Sequence, residues 1–107
     1  MYCHQKIITM TYLNRDENEK LINAKNKIRA LAHPLRQSML QTIQKNGNRM
    51  KVTDIYTKLQ IEQSVASQHL GILRSESFVN AQRDGKKIWY SVNSDAIKEC
   101  ITTCNLI

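Results

Sequence analysis

At Phe78 the hydrophobic pattern of this 107-residue chain changes period, and that change limits the folds open to it. Upstream, apolar residues recur at helical spacing. Downstream, Val79 and Ala81 alternate with Asn80 and Gln82, and Ile88, Tyr90 and Val92 alternate with Trp89 and Ser91. Such alternation marks strands with one buried face. Between the two runs lies Arg83-Asp84-Gly85-Lys86, and Asp-Gly is a favoured pair for a tight hairpin turn. An isolated hairpin is marginal in water, so this one must pack on the helices before it. The expected fold is mainly α with a small β-hairpin, in the order α-α-α-α-β-β-α.

The stretch directly before the hairpin, residues 53–76, reads TDIYTKLQIEQSVASQHLGILRSE. Thr53 can N-cap a short helix by accepting from an orphaned N–H of its first turn. Ile55 and Leu59 then fall one turn apart on a buried face. The pattern breaks at residues 60–62, and a second helix turns Val65, Leu70 and Leu73 inward. Its opposite face carries Ser64, Ser67, Gln68, Gly71 and Arg74, at spacings of three and four. That face is polar, short-chained and almost free of acid. Serine and glutamine can bond base edges or phosphates, small residues let a helix sit deep, and arginine can pair with phosphate or guanine. The stretch reads as a helix-turn-helix with a recognition helix, the plainer alternative being a solvated helical hairpin. His69 reads either as a half-buried packing residue or as a further DNA contact. The hairpin that follows bears Arg83, Lys86 and Lys87 at its tip, which makes it the wing of a winged helix rather than an ordinary charged turn.

Elsewhere the chain supplies supporting helices. Residues 1–13 show no period and are expected to form a flexible arm or helical extension, with Met10 as a second possible start; residues 14–107 form the domain. Asn14 or Asp16 can cap a first helix that buries Leu21, Ala24, Ile28 and Leu31, with Ile22 as a second apolar flank. His33-Pro34 breaks it, because proline disfavours the α conformation before it and suits the first helical position. His33 is expected to cap or pack rather than to bind a ligand. The second helix buries Leu35, Met39, Leu40 and Ile43 and stops at Asn46-Gly47, before a basic linker of Asn48, Arg49, Met50 and Lys51. Ser94 can cap a last helix, on which Ile97, Cys100, Ile101 and Cys104 form one apolar stripe. A terminal helix this short needs a covering surface, so a dimer seam built from the first and last helices is expected. Trp89 is expected to cover an apolar flank of the sheet.

Composition narrows the class of partner. Apolar residues make up 41% and charged residues 23%, which places the chain among folded domains and not disordered ones. The net charge of +7, from 16 basic and 9 acidic residues, suits a polyanion such as double-stranded DNA. No apolar run approaches membrane-spanning length. Three cysteines at no disulfide-framework spacing imply a reducing, cytoplasmic setting. There is no glycine-rich phosphate loop, no nucleophile elbow and no carboxylate pair set apart from the solvated charges, so the chain is not read as an enzyme.

Three segments taken together, ALAHPLRQSMLQTI, the stretch VTDIYTKLQIEQSVASQHLGILRSESFV and the wing RDGKKIWYSVN, resemble the ArsR/SmtB family of bacterial winged-helix repressors. The resemblance covers about three-fifths of the chain and is specific in its order. It implies a homodimeric regulator of transcription, joined through the first and last helices and bound to an imperfect palindrome. It also puts Ser64, Ser67, Gln68 and His69 on the recognition helix and the hairpin tip on the flanking backbone. Ser77 stands where the family pattern has glycine.

The family's sensing motifs are not matched. Metal-sensing members carry a cysteine pair around the start of the third helix, where this chain has Lys51 and Thr53, neither of them a soft-metal ligand. Other members bind metal through aspartate and histidine on the last helix, which here has no histidine. The redox-responsive pairing needs a second-helix cysteine, and Leu40-Gln41 stands near that place. No metal and no cofactor is therefore expected. Cys100 and Cys104, one turn apart, leave two readings open: packing at the dimer seam, or a thiol sensor for a soft-metal or thiol-reactive inducer, completed by Cys3 or His4. A winged helix used for protein interaction, with only non-specific nucleic-acid affinity, is the alternative function.

Overall fold

The computed structural model describes residues 15–106, and side chains for residues 18–102. The arm at 1–13, Cys3, His4, Met10 and Asn14, and the side chain of Cys104, lie outside the described residues. Eight elements follow in order: α1 (Arg15–Ala32), α2 (Pro34–Lys45), β1 (Met50–Lys51), α3 (Val52–Leu59), α4 (Gln63–Ser75), β2 (Val79–Asp84), β3 (Lys87–Val92) and α5 (Ser94–Leu106). The expected winged helix-turn-helix is present, with one strand more than expected. Among the described residues no helix is long and apolar enough to cross a membrane.

Each helix boundary has a local cause. His33 is extended, with φ −72° and ψ 125°, and Pro34 opens α2. The His33 Nδ1 accepts from the Leu35 N–H at 3.2 Å, so this histidine is a helix cap. Asp16 lies inside the first turn of α1 rather than at its cap. Thr53 does not cap α3: that helix starts at Val52 with Lys51 at the cap, and the Thr53 carbonyl accepts from Thr57 Oγ1 at 2.6 Å. Gln60 ends α3 in the left-handed region, at φ 55°, and so turns the chain into α4. The cap of α5 is Asn93, not Ser94, since Asn93 Oδ1 accepts from the Ala96 N–H at 3.3 Å.

The end of α4 is a Schellman turn. The Ser77 N–H donates to the Arg74 carbonyl at 3.0 Å and the Phe78 N–H to the Leu73 carbonyl at 2.9 Å. Ser77 holds the left-handed conformation this motif needs, at φ 65°. Phe78 and Leu73 are both fully buried, which supplies the apolar contact that accompanies such turns.

Part of the basic linker is a strand. Gly47 and Asn48 both take positive φ, 73° and 59°, and reverse the chain after α2. Met50 and Lys51 then pair antiparallel with Tyr90 and Trp89. The sheet has three strands in the order β1-β3-β2, not the two-stranded ribbon expected. In the hairpin, Asp84 pairs with Lys87, so the two-residue turn is Gly85-Lys86 rather than Asp84-Gly85. Gly85 alone takes positive φ there (62°), as a type II′ turn requires of its first central residue.

The core is built from every element. Met39 and Ile43 of α2, Ile55 of α3, Leu70 and Leu73 of α4, and Phe78 and Val79 at the start of the wing are fully buried or nearly so. Each such side chain contributes about 1.5–3 kcal/mol by leaving water. Ala66 takes the central place on α4 that the pattern gave to Val65, which is only half-buried. On α1 the buried residue is Ala30, while Ile28 and Ile22 are 40% and 47% exposed.

Candidate nucleic-acid interface

The core side of α4 fixes what its other side can present. With Ala66, Leu70 and Leu73 buried, the helical period leaves Ser64, Ser67, Gln68, Gly71 and Arg74 outward, and all five are exposed. No acid interrupts this helix. The inferred polar face is thus a real surface. A carboxylate there would be repelled by phosphates, and a long side chain would hold the helix away from a groove.

The wing stands beside the end of that helix. Because the Schellman turn joins α4 directly to β2, Arg74 comes close to Arg83, which pairs with Ile88 in the ladder. Arg74, Ala81, Arg83 and Ile88 line one recess of about 360 Å³. Two arginines on one recess offer several N–H donors to an anion such as a backbone phosphate. Lys86 is exposed at the turn itself. Lys87 is exposed too, but it faces Asp84 across the ladder, which offsets part of its charge.

His69 differs from its neighbours. It is half-buried, its Nδ1 accepts from Arg36 Nε at 3.1 Å, and its ring lies 4.7 Å from that of His33. Partial burial, then the nearby His33 and Arg36, hold its pKa below the usual 6.5. Sequence reasoning missed Arg36 altogether, because nothing in the spacing of α2 marks it. Trp89 carries basic neighbours of its own. It lies on the outer face of the sheet beneath Arg49, whose Cζ is 3.7 Å from the ring centroid, with Lys51 Nζ at 5.5 Å. Two basic side chains thus lie over its ring.

A second surface lies among α1, α2 and α5. Ile28 and Leu31 of α1, Leu40 of α2, and Ile97, Cys100 and Ile101 of α5 line an apolar groove of about 440 Å³. Cys100 is buried in its wall, while Ile101 is 51% exposed. Among the described residues no three His, Cys, Asp or Glu side chains gather to hold a metal.

Comparison with known proteins follows the same outline. No protein-family model matches the chain. The crystal structure of NolR from Sinorhizobium fredii superimposes with a TM-score of 0.70 at 30% identity, covering 86% of this chain and 90% of that one. The nodulation protein NolR of Rhizobium meliloti is 35% identical over 89 residues, 83% of this chain and 71% of its own. The chain belongs to the ArsR/SmtB family of winged-helix transcriptional regulators. The transcriptional repressor PagR of Bacillus anthracis is 28% identical over 96 residues, 90% of this chain and 89% of its own. As an ArsR/SmtB regulator the chain keeps the family's helix-turn-helix and wing. It sets serine, not glycine, at the left-handed turn between them.

Proposed function

We propose that this chain is the protomer of a homodimeric repressor that binds a palindromic operator in the cytoplasm. The observation that carries the reading is the exposed, acid-free face of α4 in a chain whose relatives are named regulators of transcription. In this reading Ser64, Ser67 and Gln68 meet base edges in the major groove. Arg74 and Arg83 grip one phosphate between helix and wing, and Lys86 and Lys87 add salt-dependent attraction to the flanking backbone. His69 supports the helix from behind the reading face. Two recognition helices must then lie about one helical turn, roughly 34 Å, apart.

Dimerisation is supported by the apolar surface of α1 and α5. Ile22, Ile28 and Ile101 are large apolar side chains left exposed on α1 and α5, and two of them border the apolar groove. A second copy packed on these helices would cover them and set the spacing of the two reading faces. Cys100 serves this seam as a small buried hydrophobe.

The test is selection of duplexes from a random pool, then titration of the selected and a scrambled duplex at near-physiological salt. A selected-to-scrambled affinity ratio of about 10³ or more is expected. A ratio near one would overturn the reading in favour of a protein-interaction module.

A further inference from the structure

Arg36 ties three helices together. Its Nη1 donates to the Arg29 and Ala30 carbonyls, at 3.3 and 3.4 Å, in the last turn of α1. Its Nε donates to Nδ1 of His69 on α4 at 3.1 Å. Carbonyls in a last helical turn lack partners within their own helix, so they are fixed anchors for a donor. Gln37 completes this cap by donating to the Leu31 carbonyl at 2.8 Å. A guanidinium holds its N–H groups in a rigid fork, so the direction toward α1 sets the direction toward His69.

That bond also dictates the state of the imidazole. Arginine only donates, so Nδ1 must carry a lone pair, and His69 must be the neutral Nε2–H tautomer. The ring of His33 lies 4.7 Å away, and its own Nδ1 is taken by the Leu35 N–H. Helices α1, α2 and α3 and strand β2 all pack on α4. Among the described residues the charged and titratable groups that act on His69 are His33, at the α1–α2 junction, and Arg36, on α2. Both oppose a proton there, as does partial burial. His69 is next in sequence to Gln68, so any shift of the helix about this residue displaces the side chains beside it.

We propose that Arg36 is a positioning residue for DNA readout. Anchored on the α1 carbonyls, it seats α4 through the Nδ1 of a neutral His69, and a proton on His69 breaks the link and costs sequence discrimination. This rests on the operator reading above. It predicts a signature that simple electrostatics does not. An added positive charge on its own would strengthen binding to every duplex. A displaced recognition helix instead lowers affinity for the selected duplex relative to the scrambled one.

The experiment compares the selected and scrambled duplexes from about pH 7.5 down to about pH 5, on either side of the histidine range. Wild type is compared with His69→Gln, whose amide oxygen accepts from Arg36 and cannot titrate, and with Arg36→Met. The wild-type affinity ratio is expected to fall about tenfold on acidification, the scale of one charge-assisted bond. The His69→Gln ratio is expected to stay flat. In parallel, imidazole ¹⁵N spectra of the DNA-free protein follow His69 itself. They should show Nδ1 unprotonated near neutrality, and a protonation midpoint that rises in Arg36→Met. A wild-type ratio that ignores pH, an equal fall in His69→Gln, or an unmoved midpoint in Arg36→Met would each overturn the proposal while leaving the operator reading standing. A ratio near one at every pH would overturn both.

Discussion

The side chain of Asn48 bonds both backbone groups of Val92: its Oδ1 accepts from the Val92 N–H at 2.9 Å, and its Nδ2 donates to the Val92 carbonyl at 3.2 Å. In this way one side chain continues the edge of β3 beyond the point where β1 stops pairing. Asn48 also holds a left-handed backbone, which asparagine tolerates better than most residues. Asn48→Ala should lose both bonds and strain the turn, lowering stability by about 2–3 kcal/mol. Asn48→Gly should recover only the strain. Urea unfolding midpoints of the two variants separate the parts.

Ser77 is expected to yield in the other direction. It sits at the left-handed position of the Schellman turn, where a side chain costs about 1–2 kcal/mol against glycine. Part of that gain is lost to the greater freedom of glycine in the unfolded chain. Ser77→Gly should therefore raise stability by about 0.5–1 kcal/mol, read as a higher urea midpoint at unchanged m-value.

The lowered pKa of His69 has a defined effect on stability. Between the folded and unfolded pKa values the unfolded chain binds more protons, so stability rises with pH through that window. The contribution is complete above the unfolded value near 6.5 and is lost as pH falls through the folded value. Unfolding free energies of wild type and His69→Gln, measured across this range, should diverge in slope only below about pH 6.5.

Contacts to phosphate and contacts to bases should part company in mutants. Arg74→Ala with Arg83→Ala should weaken binding to all duplexes and flatten the salt dependence by about one unit of slope, because the two arginines share one phosphate. Gln68→Ala should cost about 1–3 kcal/mol on the selected duplex and little on a scrambled one. Fluorescence anisotropy titrations at several salt concentrations check both. An unchanged slope would remove the wing from the interface.

The apolar groove offers a simple test of assembly. Ile101 is half exposed at its edge, so Ile101→Glu should leave the protomer folded while placing a charge where a partner would pack. Sedimentation equilibrium should give a dimer for wild type and a monomer for the variant, with unaltered circular dichroism. Operator affinity should fall steeply with the loss of the second reading head.

Much of this was legible in the chain because period and capping act locally. The buried Leu70 and Leu73 force Ser64, Ser67 and Gln68 outward, and the alternation from Val79 to Val92 could form only paired strands. Other features depended on contacts distant in sequence. Met50 and Lys51 become a strand because Tyr90 and Trp89, some forty residues on, supply the partners. The short alternation of Arg49, Met50, Lys51 and Val52 was the signal available. Asn93 displaced Ser94 as the α5 cap while its own N–H and side-chain amide reached back to Phe78 and Ser77. Thr53 lost its cap role for a different reason, since pairing by Lys51 moves the cap of α3 two residues upstream. Arg36 carries no local pattern; only the packed fold brings it to His69.

The chain has a single tryptophan, and it lies on the central strand of the wing under the guanidinium of Arg49. The excited state of an indole responds to charge held against its face and to water around it, so its emission reports on this one place in the wing. Nature has in effect placed an optical label on the element expected to close against a duplex. Bending or docking of the hairpin can thus be followed in the unmodified molecule, without dye or isotope.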